Sequence, residues 1–275
     1  MNECRQPLPT PIRSALDGRV AAAVRLALSA GADTLKFFQD SNLRVERKQD
    51  RSPVTEADRQ AELLIREALG QEFPDDAILG EEFGSQGGES EYQWIIDPID
   101  GTKSFICGVP LYSTLIAVVR GRQAVAGVIY LPALDEIVVA ATGCGAWHAT
   151  AKAAWHPARV SDRDLEVGLF TTSQVDSFWQ RGAEAAYREL ERRASITRTW
   201  GDGYGYLLVA TGRAELMVDP VANPWDLAPV EVVVREAGGR FTDWSGEPTA
   251  FGGDGVASNG IVHDQALALL RPSNA

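Results

Sequence analysis

Residues 94–105 read "WIIDPIDGTKSF". Trp94, Ile95 and Ile96 form an apolar run that meets Asp97, and Pro98, Ile99, Asp100, Gly101 and Thr102 follow at once. A short apolar run closed by Pro and Gly reads as a buried strand. That strand carries two carboxylates, Asp97 and Asp100, to its carboxyl end, with the Ile99 carbonyl between them. Hard divalent cations take oxygen ligands, and Mg²⁺ typically takes one or two carboxylates together with water and phosphate oxygens. Gly101 lets the backbone approach a ligand closely. The Gly101 and Thr102 amides could then cradle a phosphate if a helix begins there. The competing reading is an acidic turn whose Asp caps a helix, and on this stretch in isolation it is the better one.

Working outward, the upstream segment 15–38 has helical periodicity, with Val20, Val24, Ala27, Leu28 and Leu35 near one face. Residues 48–69 open as a loop and become a helix with Thr55 as its cap. Downstream, "STLIAVV", "AVAGVIYL" and "EIVVAA" are β-rich runs with short connections, which predicts mostly antiparallel pairing, and the block closes at Cys144–His148. Beyond "HPARVSDRD" the pattern alternates. Strands are expected at "VGLFTT", "SITRTW", "AELMVD" and "RFTDW". Helices are expected at "SFWQRGAEAAYRELERRA", "GYGYLLVATG", "DLAPVEVVVREAGG" and "HDQALALL". The fold class is therefore α+β, in layers. The expected organisation is a flexible segment 1–14 and one domain over 15–275, with an α+β half at about 15–155 and an α/β half at about 156–275.

The chain has 275 residues, 45% hydrophobic and 23% charged, with a net charge of −12. That balance argues against nucleic acid or an anionic membrane as partner, because a phosphate backbone needs a basic stripe. An anionic substrate would need a cation to mediate its binding. Cys4, Cys107 and Cys144 have neither disulfide-framework nor zinc spacing, so a reducing cytoplasm is expected. No apolar run approaches transmembrane length, and no secretory leader is visible.

Three further motifs change the weighing. "LGEEFG" (79–84) sets Glu81 and Glu82 after a short apolar strand, where adjacent like charges either splay into solvent or meet a cation. "NPWDLAPVEVVVREAGG" (223–239) puts Asp226 at a helix start, where Asp is a favoured N-cap. "SPVTEAD" (52–58) puts Asp58 in a first helical turn, where it offsets the helix dipole. Each has a bland explanation by itself. In this order, a Gly-Glu-Glu block, an apolar strand into Asp-Pro-Ile-Asp-Gly-Thr, and Trp-Asp before a helix ending in Ala-Gly-Gly resemble the inositol monophosphatase family of metal-dependent phosphatases, from about residue 20 to 270.

The resemblance implies a layered α-β-α-β-α sandwich of the inositol monophosphatase / fructose bisphosphatase type. It also implies Mg²⁺, two or three ions per site, and a homodimer. By the same resemblance, Glu81, Asp97 and the Ile99 carbonyl are ligands of one ion, and Asp97, Asp100 and Asp226 of a second. Glu82 is a supporting carboxylate, Gly101 and Thr102 bind phosphate, and the Thr102 hydroxyl with Asp58 polarises the attacking water. "DGTKSF", with Lys103, and "WGDGYGYLLVATG" (200–212), with Asp202 and Tyr204, are similar to the histidinol-phosphate phosphatase branch, which acts in histidine biosynthesis. "TDWSGEP" and "SNGIVHDQAL" resemble that branch too. Such a substrate carries an ammonium and an imidazole beside its phosphate, which acids and aromatic faces suit. Asp202, Tyr204, Asp219 and Lys103 are the expected substrate contacts. The competing readings are that Asp202 caps the following helix and that the tyrosines, Tyr206 among them, merely pack. The alternative substrate is myo-inositol phosphate, or a broad set of small phosphate esters. His148, His156 and His263 are expected to be structural, and Cys107 not to be a catalytic thiol.

Overall fold

The structure, a computed structural model, describes residues 7–48 and 52–271. Cys4, with the rest of residues 1–6 of the segment expected to be flexible, lies outside the described residues. Within the remainder of that segment, α1 (Thr10–Arg13) is a helical turn whose Ile12 is fully buried.

In chain order, α2 (Arg19–Thr34), the ribbon β1 (Val45–Arg47) and β2 (Pro53–Thr55), and α3 (Glu56–Glu72) come first. Then follow β3 (Ala77–Gly80), β4 (Gly84–Gln86), β5 (Tyr92–Asp100), α4 (Thr102–Ile106), β6 (Ser113–Arg120), β7 (Gln123–Leu131), β8 (Glu136–Ala141), β9 (Gly145–Thr150) and β10 (Ala153–Pro157). The second part comprises β11 (Leu169–Thr171), α5 (Asp176–Gln180), α6 (Glu184–Arg193), β12 (Ile196–Arg198), α7 (Asp202–Ala210), β13 (Leu216–Asp219), α8 (Pro224–Glu236), β14 (Arg240–Thr242), β15 (Gly255–Ser258) and α9 (His263–Leu270).

An eight-stranded sheet runs β10-β9-β8-β7-β6-β5-β3-β4, antiparallel except where β3 lies parallel to β5. A five-stranded sheet runs β12-β11-β13-β15-β14, with β11 parallel to both of its neighbours. Side chains alternate across β5. Trp94 and Ile96 pack with Val24, Ala27, Ile65 and Leu69 of α2 and α3. Ile95 points the other way, into a core shared with Leu207 of α7 and Leu227, Val230 and Val233 of α8. Both faces of the strand are covered, which is why it reads as continuously apolar rather than alternating. Met217, Ala257 and Phe241 close that middle layer from the second sheet. On the sheet's far face, Phe170, Leu216 and Val256 pack with Phe178 of α5, Leu190 of α6 and Leu267 of α9. The layers are thus α-β-α-β-α, as the resemblance implies. Contact in the middle layer is close enough that a Cβ on Gly127 of β7 would overlap the Pro229 carbonyl of α8.

Several expectations are corrected. Helix α2 starts only at Arg19, after Gly18 at φ 86°, and Leu35 beyond its end is 41% exposed. The strand expected to carry Asp97 and Asp100 does so, but with a register shift between the two and a start two residues earlier, at Tyr92. The single helix expected over "SFWQRGAEAAYRELERRA" is two, α5 and α6, broken at Gly182 with φ 71°. The antiparallel block extends past His148 into the hairpin β9–β10.

Candidate active site

The carboxyl end of β5 opens into a cleft of about 750 Å³, and Asp97, Asp100, Asp202, Asp219 and Asp226 all line it. The register shift in β5 brings both of its aspartates out at the same strand end. Asp97 Oδ1 accepts the Ile99 amide at 3.1 Å. Asp100 Oδ2 accepts the Ser113 hydroxyl and the Gly203 amide, both at 2.6 Å. Asp226 is not the N-cap of α8. Asn223 caps the helix, and Asp226 is its third residue, closing a capping box by accepting the Asn223 amide on Oδ2 at 2.7 Å. That use of Oδ2 orients the carboxylate and leaves Oδ1 for the cleft. One oxygen from each of Asp97, Asp100 and Asp226 lies within 4.8 Å of the others.

Glu81 follows β3, and its amide bonds the Ile96 carbonyl at 3.2 Å, so the parallel β3–β5 pair sets it beside Asp97. Glu62 of α3 props this turn. Its fully buried carboxylate accepts the Glu82 amide at 2.8 Å and pairs with Arg66 at 2.7 Å. Lys48 bridges Glu81 at 2.7 Å and Glu82 at 2.6 Å. Sequence reasoning found neither Glu62 nor Lys48. A lone Lys in a loop and a Glu inside an amphipathic helix both look like ordinary solvated charges.

Asp58 repeats the Asp226 device. Thr55 caps α3, and Asp58 Oδ2 accepts its amide at 2.8 Å and its hydroxyl at 2.5 Å. The remaining oxygen, Oδ1, is 3.4 Å from Thr102 Oγ1, which also lies 3.1 Å from the Ile99 carbonyl. Gly101 sits at φ 79°, a left-handed conformation that favours glycine, and caps the short helix α4. Asp202, expected as a possible cap, instead starts α7 at φ 52°, with its amide bonded to Ser173 Oγ at 2.8 Å. Asp219 Oδ1 accepts Ser173 Oγ at 2.7 Å, and its Oδ2 accepts Tyr206 OH at 2.9 Å. Lys103 is exposed and bonded to Gln174.

Tyr204 stands apart from the cleft lining and packs on the middle-layer core near Arg213 and Glu136. Tyr206 takes the cleft-facing place. The histidines lie in other networks. His148 joins Glu136 (2.7 Å) to His156 (3.1 Å), and buried His263 bonds Ser258 and Thr242. Cys107 and Cys144 are free thiols.

The electrostatics follow from burial. Desolvation, reinforced by Glu81, Asp100 and Asp226, drives the Asp97 pKa well above the usual carboxylate range. Burial does the same to Asp100, with Asp202 and Asp226 adding to it. Asp226 is pushed up to about 7 by burial, against its bond from Asn223. Glu82 is raised to about 7, again chiefly by burial. Among the described residues, no cationic side chain hydrogen-bonds Asp97, Asp100 or Asp226. Clustered buried carboxylates of this kind are stable when ionised only beside an added positive charge. The donor set is all oxygen, which fits a hard divalent cation.

Comparison with known proteins agrees with this geometry. The sequence profile of the inositol monophosphatase family matches residues 16–274. The chain is similar to a histidinol-phosphatase from Chlorobaculum parvum, 41% identical over 250 residues that cover 90% of this chain and 95% of the relative. A histidinol-phosphatase from Mycobacterium tuberculosis is 39% identical, over 89% of this chain and 95% of the relative. Among solved structures, the extragenic suppressor protein SuhB from Bartonella henselae superposes with a TM-score of 0.84 at 30% identity, over 93% of this chain and 99% of that one.

Proposed function

Because this chain belongs to the inositol monophosphatase family, we propose that it is a phosphoric monoester hydrolase that converts L-histidinol phosphate to L-histidinol and inorganic phosphate, a step of histidine biosynthesis. The observation that carries the substrate is the 38–41% identity to three histidinol-phosphatases along about nine-tenths of the chain. Relatives named for fructose-1,6-bisphosphatase and inositol-1-monophosphatase activity stand at 31–35%. The cleft supports the same choice, because two acids, the buried Asp219 and the half-buried Asp202, line it. They suit an ammonium or imidazolium better than a neutral polyol.

Glu81, Asp97, the Ile99 carbonyl, Asp100 and Asp226 would hold two Mg²⁺ ions, and Glu82 a third through water. When bound, the ions neutralise phosphate charge, lower the pKa of water and clamp the entering and leaving oxygens. The protein's own groups do the rest. Gly101 and Thr102 seat the phosphate with their amides. The Thr102 hydroxyl donates to Asp58, which turns its lone pairs toward water and orients that water's oxygen at phosphorus. As the water–phosphorus bond forms and the P–O ester bond breaks in line, the proton lost by the attacking water passes to Asp58 through Thr102, and the departing oxygen takes a proton from solvent water in the cleft to leave as the alcohol.

The site draws on both sheets, which supports one phosphatase domain over 15–275. A homodimer and a cytoplasmic location remain proposals from the resemblance and cysteine usage, and sedimentation tests the first. Phosphate release with Mg²⁺ tests the function. L-histidinol phosphate should have the higher kcat/KM against myo-inositol 1-phosphate. A preference for the inositol ester, or none, would keep the metal chemistry and overturn the substrate.

A further inference from the structure

We infer that Ser173 is the positioning residue that sets specificity for a cationic phosphate ester, by holding Asp202 and Asp219 in one fixed relation on the cleft wall. The inference deepens the reading of this site as one for L-histidinol phosphate and rests on it. Ser173 follows β11 and lines the cleft. Its amide and its Oγ both donate to Asp219 Oδ1, at 3.2 and 2.7 Å. A hydroxyl has one proton to give. With that proton on Asp219, the Ser173 oxygen accepts the Asp202 amide at 2.8 Å. A single serine oxygen therefore joins two acids that come from the end of β13 and the start of α7.

The backbone around this joint is tightly set. A Cβ on Gly201 would overlap the backbone of Ser173, so the two segments touch main chain to main chain. Asp202 sits in the left-handed region at φ 52°, an uncommon conformation for a residue with a Cβ, although Asp tolerates it better than most. The next amide, of Gly203, is delivered to Asp100 Oδ2. Removing the Ser173 hydroxyl releases the Asp202 amide from its partner and frees the carboxylate to swing.

The two acids differ in what they have left to offer. Asp219 Oδ1 already takes both Ser173 donors, while Oδ2 takes Tyr206 OH and keeps a lone pair for a ligand. Asp202 leans over Gly101, where a Cβ would come within 2.9 Å of its Oδ2. One acid thus stands over the proposed phosphate seat, and the other lines the same cleft and is joined to it through Ser173. A ligand with its phosphate at one end and a cationic amine a few bonds away can meet both. A neutral polyol phosphate brings no charge to offset them.

The test compares wild type with Ser173→Ala and Ser173→Thr at saturating Mg²⁺. It measures kcat and KM for L-histidinol phosphate and myo-inositol 1-phosphate, and inhibition by L-histidinol, which reports the amine side without phosphate. Ser173→Ala should raise KM for L-histidinol phosphate and weaken L-histidinol inhibition by about tenfold, the scale of losing a hydrogen bond to a charged group. The loss on the inositol ester should be smaller, and Ser173→Thr should restore the wild-type ratio. Equal losses on both esters, or unchanged L-histidinol inhibition, would overturn the inference. Should Ser173→Ala fail to fold, Ser173→Cys carries the same comparison with a weaker donor: a shifted ratio supports the inference and an unchanged one overturns it. A wild type without preference for L-histidinol phosphate sinks the functional reading itself. A preference that Ser173→Ala leaves intact sinks only this inference.

Discussion

Asp76 and Asp97 sit at opposite ends of the same pair of parallel strands, β3 and β5, and both are almost fully buried, at 3% and 2% exposure. Their surroundings differ completely. Asp76 meets Arg19 at 2.8 and 2.9 Å, Ser90 at 2.6 Å and Trp94 Nε1 at 2.9 Å. Burial alone would raise its pKa, but these partners outweigh burial and hold it below the usual range. Asp97 accepts one backbone amide and faces Glu81, Asp100 and Asp226, so its pKa is driven up. One end of the strand pair is a finished ion pair. At the other, among the described residues, Lys48 reaches Glu81 and Glu82, and no cationic side chain hydrogen-bonds Asp97, Asp100 or Asp226. Buried charge is tolerated when paired, and an unpaired cluster is a functional signal.

Four substitutions or conditions would break or sharpen that contrast. The largest effect belongs to Asp97→Asn. Turnover should fall about 10³-fold or more, the scale of removing a principal electrostatic group. The metal-free protein should meanwhile melt higher, because one mutually repelling carboxylate is gone. Wild-type turnover in this variant would refute the assignment. Asp76→Ala should do the reverse. It leaves Arg19 without its partner and should cost about 3 kcal/mol in denaturant unfolding, with turnover per folded molecule unchanged. A third variant, Thr102→Val, keeps shape and removes the hydroxyl near Asp58. Its kcat should drop about 10²-fold, at the low end for acid–base assistance, with stability little altered.

The smallest effect is a pH dependence of the metal-free protein. Asp226 has a folded pKa of about 7 against an ordinary 3.8, so between those values the native state binds more protons than the unfolded one. Its contribution to stability is therefore lost as pH rises through that window. Asp97 and Asp100 shift in the same direction. Melting curves in chelator should show stability falling on the order of 2 kcal/mol between pH 5 and pH 8 from this cluster. Mg²⁺ should raise Tm more at pH 8 than at pH 6. A Mg²⁺ shift independent of pH would mean that the ion binds elsewhere.

The clustering of the carboxylates was legible because they sit in contiguous motifs at element boundaries. Asp97 and Asp100 share one strand end. Asp58 and Asp226 each lie three residues after a capping Thr or Asn, a local pattern that fixes the carboxylate before any tertiary contact forms. The rest of the cleft wall was less legible because it depends on phase and on distant partners. Tyr204 and Tyr206 are two positions apart on α7 and so point to nearly opposite sides. Without the helix start, which the glycines obscured, nothing chose between them. Ser173 and Lys48 act through contacts 29 to 46 and 33 to 34 residues away in sequence, and neither lies in a motif. In the fold, the layers followed from the apolar runs. The α5–α6 break and the β9–β10 edge hairpin did not, because a single glycine at φ 71° and a short, exposed strand leave little periodicity to read.

The most direct test of the cation assignment is calorimetric titration of Mg²⁺ into chelator-stripped protein at pH 6.5, repeated in buffers of different ionisation enthalpy. Protons displaced from Asp97, Asp100 and Asp226 should appear as a buffer-dependent heat that shrinks by pH 9 and is reduced in Asp97→Asn. Binding without proton release, or no binding, would contradict the account.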